Sequence, residues 1–558
     1  MAYKPENPLI VQGDHTILVE VDSLRYEEAR DLLARFAELV KSPEHVHTYR
    51  ITPLSIWNAT AAGVSPDQIT SSLCEYAKYD VPGHVLTEVR QYAGRYGRLK
   101  LLRDGDTLRL SAADQPLAEE IWHHEEVRKY LLSREDPRTF RVMPVHRGWL
   151  KQAMVKIGWP IEDLAGYVQG EALAVALRTV TIEGNPFAPR PYQREAMDIF
   201  HAGGRAVGGS GVLTLPCGAG KTIVGMGVMA RTSCSTLILA TGTTAVRQWI
   251  REILDKTTLQ PDQVGEYTGL AKEIRPVTVT TYQILTHRRT READFTHFRL
   301  FEERDWGLII YDEVHLLPAP VFRVTAEIQA RRRLGLTATL VREDGREDDV
   351  FALIGPKKYD VPWKVLEGQG WIASAVCTEV RLPLPDELRM TYAVTDRRRK
   401  LRFASENPAK LHVLRRILDR HSADPTLVIG TYVQHLRYIA VELRAPVITG
   451  QTSNAERERL YDDFRAGRLH VLVVSKVANF ALDLPDAAVA IQVSGTFGSR
   501  QEEAQRLGRL LRPKPGANQA NFYTLVTSET LEQDFAANRQ RFLTEQGYAY
   551  EIVDQQTL

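Results

Sequence analysis

At 558 residues the chain is too long for one hydrophobic core and divides into roughly three to four domains. Hydrophobic residues make up 44% and charged residues 25%, which excludes a disordered or fibrous protein. The net charge of +1 excludes a uniformly basic nucleic-acid binder, so positive charge that meets phosphate has to be local. Such clusters are His287-Arg288-Arg289-Thr290-Arg291, Arg331-Arg332-Arg333 and Arg397-Arg398-Arg399-Lys400, each of which would more often be a solvated face. Cys74, Cys217, Cys234 and Cys377 are scattered without a C-x-x-C pair, against a zinc or disulfide framework and in keeping with a reducing cytoplasm. No signal-like start and no apolar run near the ~20 residues of a membrane span is present, so a cytoplasmic protein is expected.

Residues 1–45 read as a strand over 16–21 and then an amphipathic helix through Leu32, Leu33, Phe36 and Leu39. Thr52-Pro53 and Ser65-Pro66 are helix starts, each a capping residue followed by proline at the first helical position. A third helix after Pro82 leads to two apolar runs around Asp104-Gly105, a hairpin signal. Helices followed by a hairpin suggest a winged-helix-like module over 1–115, with a generic α+β module as the alternative. A connecting region over 116–180 follows.

From about 175 the texture becomes short Val/Ile/Leu runs alternating with helical segments, the pattern of βα units around a parallel sheet. Buried-strand candidates are 212–215, 236–240, 277–280 and 308–311, then a second series at 427–430, 447–449, 471–474 and 490–493. Two series predict an α/β architecture with two nucleotide-binding folds in tandem.

The first candidate strand runs into Pro216-Cys217-Gly218-Ala219-Gly220-Lys221-Thr222 and an apolar helical stretch. Glycines let backbone N–H groups turn onto phosphates, and the helix N-terminus adds positive potential. Gly218, Ala219 and Gly220 would line the phosphates, Lys221 would reach the β- and γ-phosphates, and the Thr222 hydroxyl would coordinate Mg²⁺. Leu215 stands where the full pattern has its first glycine. Some ninety residues on, a buried-strand run ends in Asp312-Glu313-Val314-His315. Asp312 fits the Mg²⁺ partner, with Thr222, and Glu313 the base that orients the attacking water. A lone Asp-Glu pair is commonly a helix cap, but after a phosphate loop at this distance it points to ATP hydrolysis. In the second series Arg509 and Arg512 lie three apart on one helical face, where they could meet charge developing on the γ-phosphate.

In order, Arg190-Pro191-Tyr192-Gln193, the phosphate loop, Asp312–His315, Leu336-Thr337-Ala338-Thr339 and Gln505–Arg512 resemble superfamily 2 helicases, and specifically the XPB family. The narrowing feature is Arg342-Glu343-Asp344 directly after the threonine motif; in that family the tripeptide is linked to opening damaged or promoter DNA. The same letters at Arg134-Glu135-Asp136 show that position is what counts. Further matches are Thr244–Trp249, Thr449–Ser453 with Glu456-Arg457, and Ser475-Lys476-Val477 leading to Asp483. Ala478-Asn479 departs from the Gly-Asp of eukaryotic members and leaves contacts near Asp483 open. The resemblance covers about residues 140–530, more weakly the N-terminal segment.

It implies two RecA-like lobes, 181–362 and 363–540, a thumb-like insertion near 375–405 and a tail over 541–558. It implies that Gln193, with Arg190 beside it, reads adenine, and that Asp483 and Gln505 help position nucleotide. Arg509 and Arg512 would act as fingers, while His315, Thr337 and Thr339 would link nucleotide state to DNA contact. Implied DNA contacts are Thr243, Arg247, Gln248, Thr281 and Tyr282 in the first lobe, Thr431 and Ser475 in the second, and Arg342, Glu343 and Asp344 at the point of opening. The implied activity is ATP- and Mg²⁺-dependent 3′–5′ helicase action on single-stranded, forked or damaged DNA in repair or transcription. A monomer is expected, with room for a nuclease or repair partner. Competing readings are a double-strand translocase that remodels bound protein and an ATP-switched DNA-binding regulator. An RNA helicase fits the core motifs alone, but the Arg342–Asp344 placement favours DNA.

Overall fold

A computed structural model describes residues 3–42, 45–216, 218–287, 297–329, 331–338, 346–361, 366, 368–371, 374–475, 487–495, 519–545 and 549–558. The chain opens with an antiparallel sheet of order β1-β2-β4-β3, from β1 (Leu9–Val11), β2 (Thr16–Glu20), β3 (Glu38–Lys41) and β4 (Val46–Arg50). The helix expected through Leu39 stops at Leu33, and Leu39 is a strand residue opposite Tyr49. Spacings of three and four around Leu32, Leu33 and Phe36 suit a helix, but long-range pairing with β4 decides the outcome beyond Ala37. Thr52 and Ser65 each close a capping box with the residue three positions on, starting helices at Pro53 and Pro66.

The Asp104-Gly105 turn joins β5 (Leu99–Asp104) to β6 (Thr107–Ala112). With β7 (Leu131–Asp136), β8 (Thr139–Val142) and β9 (Ile161–Asp163) this hairpin forms a five-stranded sheet of order β7-β8-β6-β5-β9. The hairpin therefore belongs to the second accessory core rather than to the helices before it. The cores divide between Ala93 and Leu99, short of the expected division at 115. Arg134 is used locally, its guanidinium held on Glu119 at 2.7 and 3.0 Å, and Asp136 accepts from the Arg138 N–H.

The first lobe is a seven-stranded parallel sheet of order β12-β13-β11-β14-β15-β10-β16. Its strands are β10 (Ser210–Thr214), β11 (Thr236–Ala240), β12 (Val264–Tyr267), β13 (Val277–Thr281), β14 (Leu308–Asp312), β15 (Arg332–Thr337) and β16 (Lys357–Asp360). Helices cover both faces, so the central strands read as unbroken apolar runs rather than alternating ones. The second lobe repeats the plan in the order β19-β20-β18-β21-β22-β17-β23. Its strands are β17 (Ser374–Leu382), β18 (Thr426–Gly430), β19 (Val447–Ile448), β20 (Val471–Ser475), β21 (Val489–Gln492), β22 (Gln519–Thr527) and β23 (Ala549–Asp554).

Two expectations change here. The start of the region 375–405 is β17, inside the sheet, and of the helices that follow it, Asp386–Val394 and Arg397–Ser405, the second packs back on the lobe through buried Leu401 and Ala404, with Ser405 Oγ donating to Glu532. The segment 541–558 is no tail: the helix Leu531–Glu545 and β23 complete the second sheet, with β23 parallel to β17. Among the described residues no helix is long and apolar enough to cross a membrane.

Candidate nucleotide site and motor core

The sheet order β14-β15-β10 sets three motif-bearing strands side by side, with their ends at one edge of the sheet. Thr214 is opposite Thr337, and the Leu215 N–H continues the ladder onto the Thr337 carbonyl at 2.9 Å. After Pro216 the chain turns through Gly218 and Gly220, both with φ near +80°, into the helix Lys221–Thr232. Only glycine suits Gly220, because a Cβ there would lie 2.5 Å from Gln193 Nε2. Lys221 and Thr222 occupy the first two positions of that helix.

Gln193 is buried at the start of the helix Pro191–His201. Its Oε1 accepts the Arg190 N–H at 2.8 Å, and its Nε2 donates to the Ala219 carbonyl at 2.8 Å. Tyr192 Oη donates to the same carbonyl at 2.8 Å. Both ends of the Gln193 amide thus grip the phosphate loop and its helix start. Arg190 donates to Tyr192 Oη and to the Trp371 carbonyl, its guanidinium 4.6 Å from the Trp371 ring centre.

Lys221 Nζ lies 2.6 Å from Glu313 Oε1, both half-buried. Glu313 has φ +50°, a left-handed conformation that costs a non-glycine residue about 1–3 kcal/mol. That turn brings Glu313 beside Asp312 instead of on the opposite face. Burial raises the Glu313 carboxyl, but the charge of Lys221, then His315 and the Ala338 N–H, outweighs it and holds it below the ordinary range. Burial, then the neighbouring Glu313, pushes Asp312 up to about 6. The two adjacent carboxylates are therefore inequivalent. Asp312 Oδ2 accepts from Trp249 Nε1 at 2.9 Å, and its carbonyl accepts from Tyr282 Oη at 2.9 Å. His315 Nδ1 is 2.7 Å from the Thr337 hydroxyl and 3.6 Å from Glu313 Oε2. A buried polar chain therefore runs Lys221–Glu313–His315–Thr337 across the three strands.

Thr243, Arg247 and Gln248 are exposed on the first turns of the helix Thr243–Lys256, with Arg247 3.7 Å from Glu266. Thr281 and Tyr282 are buried instead, Thr281 capping a short helix through the Ile284 N–H. In the second lobe Thr431 follows β18 and donates its N–H to Ser494 Oγ, and Ser475 ends β20, buried. Thr339, Arg342, Glu343, Asp344, Asp483, Gln505, Arg509 and Arg512 lie outside the described residues. Tyr192 and Trp249 were absent from the sequence reading as site residues. Both sit inside quoted motifs, and an aromatic with a polar tip at a motif's buried helical position is the signal that could have found them.

Two parallel-sheet lobes with a phosphate loop, a strand-end Asp-Glu pair and a strand-end threonine define a RecA-like ATPase motor. Family models match in three places: an ERCC3/RAD25/XPB C-terminal helicase over 366–558, a helicase conserved C-terminal domain over 9–136 and a type III restriction enzyme res subunit over 186–342. The chain is 54% identical to proteins named DNA 3′-5′ helicase XPB from Kineococcus radiotolerans and Mycobacterium tuberculosis, covering 98% of this chain and 97% and 98% of theirs. It is 33% identical to the XPB helicase/translocase subunit of general transcription and DNA repair factor IIH from Enterocytozoon bieneusi, over 98% of this chain and 92% of that one. The chain belongs to the XPB family of helicases. The relationship spans the accessory modules as well as the lobes, well beyond residues 140–530.

Proposed function

We propose that this chain is an ATP-dependent 3′–5′ DNA helicase of the XPB type, opening duplex DNA in repair or transcription. The observation that carries the reading is the chain Lys221–Glu313–His315–Thr337 at the ends of adjacent strands, within a family of DNA 3′-5′ helicases. The positive-φ turn at Gly220, the ammonium of Lys221 and the hydroxyl of Thr222 suit a triphosphate, and Asp312 with Thr222 suits Mg²⁺. Mg²⁺, when bound, would neutralise phosphate charge.

Glu313 is the residue suited to orient the attacking water. The pairing of Lys221 with Glu313 is one that phosphate would compete for, since Lys221 can neutralise only one strongly bound anion well. Releasing Glu313 toward water and reorienting His315 against Thr337 would then be one motion, which links hydrolysis to the strand leading to Thr339 and Arg342–Asp344. Arg509 and Arg512 would complete the charge from the second lobe, with Gln505 and Asp483 positioning nucleotide. Backbone contacts from Thr243, Arg247 and Gln248, with Thr431 and Ser475 opposite, would make the grip independent of sequence.

The test compares ATP turnover without nucleic acid and with single-stranded DNA, forked DNA and RNA at fixed salt, beside strand separation on a labelled fork. DNA should stimulate both, and Glu313→Gln should lower turnover at least about a hundredfold while retaining nucleotide. Stimulation by RNA but not DNA would overturn the substrate, and unwinding retained by Glu313→Gln would overturn the base.

A further inference from the structure

The segment between β16, which ends at Asp360 in the first sheet, and β17, which begins at Ser374 in the second, joins the two lobes. Trp371 lies on it, partly buried against the main apolar core. The Trp371 N–H donates to the Leu366 carbonyl at 2.9 Å, and Nε1 donates to Gln369 Oε1 at 3.1 Å. The indole is thus held at its polar edge and presents its flat face.

From the first lobe Arg190 meets this residue twice. Nη1 donates to the Trp371 carbonyl at 3.3 Å, and the guanidinium carbon lies 4.6 Å from the ring centre. Its other side-chain contact is Tyr192 Oη at 3.2 Å, and among the described residues no carboxylate pairs with it. A carbonyl, a phenol and an indole face are partners that a bound ligand can replace. The two-pronged carboxylate grip that fixes Arg147 on Asp163 is of another kind.

Arg190 stands at the edge of the phosphate loop. It precedes the helix Pro191–His201, whose first turn sets Tyr192 and Gln193 on the Ala219 carbonyl. Gln193 spends one end of its amide on that carbonyl and the other on the Arg190 N–H, which secures the loop but leaves little to grip a base. What a base offers besides its polar edge is a broad π face, and the aromatic face beside Arg190 is that of Trp371.

We propose that Trp371 is a base-binding residue of the nucleotide site, supplied by the interlobe segment, and that the base stacks on the indole face that Arg190 covers in this structure. It rests on the reading of the phosphate loop as an ATP site. A base on an aromatic ring is held more strongly than a guanidinium over a partly exposed one, so the exchange is favourable. Stacking on Trp371 ties the base to the segment that joins the lobes, which phosphate contacts within the first lobe cannot do.

The experiment uses the full chain and titrates ADP and pyrophosphate by calorimetry with Mg²⁺ at fixed salt, so that no turnover enters. Trp371→Leu keeps an apolar filling without a ring and should weaken ADP binding on the order of tenfold, with pyrophosphate within about twofold of the parent. Trp371→Phe keeps a ring face and should bind ADP within about threefold of the parent. In the parent, ADP should slow hydrogen exchange of the Trp371 amide and pyrophosphate should not. Unchanged ADP binding by Trp371→Leu overturns the proposal. So does an equal loss of ADP and pyrophosphate, which marks packing alone, or a loss by Trp371→Phe as large as that by Trp371→Leu. Equal slowing of the amide by the two ligands overturns the tie to the interlobe segment. A parent that binds neither ligand sinks the ATP site itself, whereas a parent that binds both, with Trp371→Leu unimpaired, sinks only the stack.

Discussion

His47 shows how a single buried side chain ties a module's stability to pH. It lies in β4, buried, with Nδ1 2.8 Å from Tyr26 Oη. Burial pushes Tyr26 up to about 12, so the phenol keeps its proton and donates, and His47 must accept as a neutral ring. Burial, then Arg30, lowers His47 to about 4 against an ordinary 6.5. The unfolded chain therefore binds the proton more strongly, and stability held above pH 6.5 is lost as pH falls toward 4. His435 in the second lobe is lowered to about 4 by the same cause, so a module-specific reading is needed. Hydrogen exchange of the β2–β4 amides, corrected for intrinsic rates, should show the opening free energy falling by about 2 kcal/mol from pH 7 to pH 5. Equal slopes in the parent and in His47→Gln would remove His47 as the cause. At this scale the sequence pointed to Lys221, Asp312 and Glu313 through the chemistry of a phosphate loop and a strand-end acid pair, and to His315 only through the family resemblance. It said little about Gln193, whose hydrogen bonds depend on where Ala219 arrives in space.

Between elements, the packing of the helix Lys221–Thr232 on Thr243–Lys256 depends on a glycine that no motif requires. A Cβ at Gly225 would sit 2.6 Å from the Trp249 ring, and Trp249 Nε1 is the donor that holds Asp312. Gly225→Ala should therefore tilt the indole, cost about 1–3 kcal/mol of stability and weaken Mg²⁺-dependent nucleotide binding several-fold. Calorimetry with and without Mg²⁺ reads this, and unchanged Mg²⁺-dependent affinity would show that Trp249 does not position Asp312. Eight strands of the lobes, β10, β11, β13, β14, β18, β19, β20 and β21, were legible because burial writes them as short apolar-rich runs between glycines and polar turns, whereas β12, β15, β16, β17 and β22 were not read as strands. The strand β3, the sheet membership of β5-β6 and the completing strand β23 were not, since each is decided by a partner far along the chain: Leu39 by Tyr49, Leu110 by Phe140, Val380 by Val553.

Across the whole molecule, 71 basic and 70 acidic side chains nearly cancel, so no long-range field draws DNA in. Binding must then come from a few local phosphate contacts, each releasing counterions. Arg247 is the described cation best suited to count as one. It is 62% exposed on the first turns of a helix whose N-terminus carries positive potential, beside exposed Thr243 and Gln248. Its ion pair to Glu266 at 3.7 Å is loose enough to exchange for phosphate. Arg247→Ala should weaken single-stranded DNA binding on the order of fivefold at low salt, uniformly across sequences. It should also make the slope of log affinity against log salt shallower by about 0.7. Gln248→Ala, on the same turn and uncharged, should weaken binding without changing the slope. Titrations over a range of salt concentrations separate the two, and identical slopes for the parent and Arg247→Ala would remove Arg247 from the DNA path. The near-zero net charge that made composition silent about DNA thereby gives one local charge a measurable signature, because no background field obscures it.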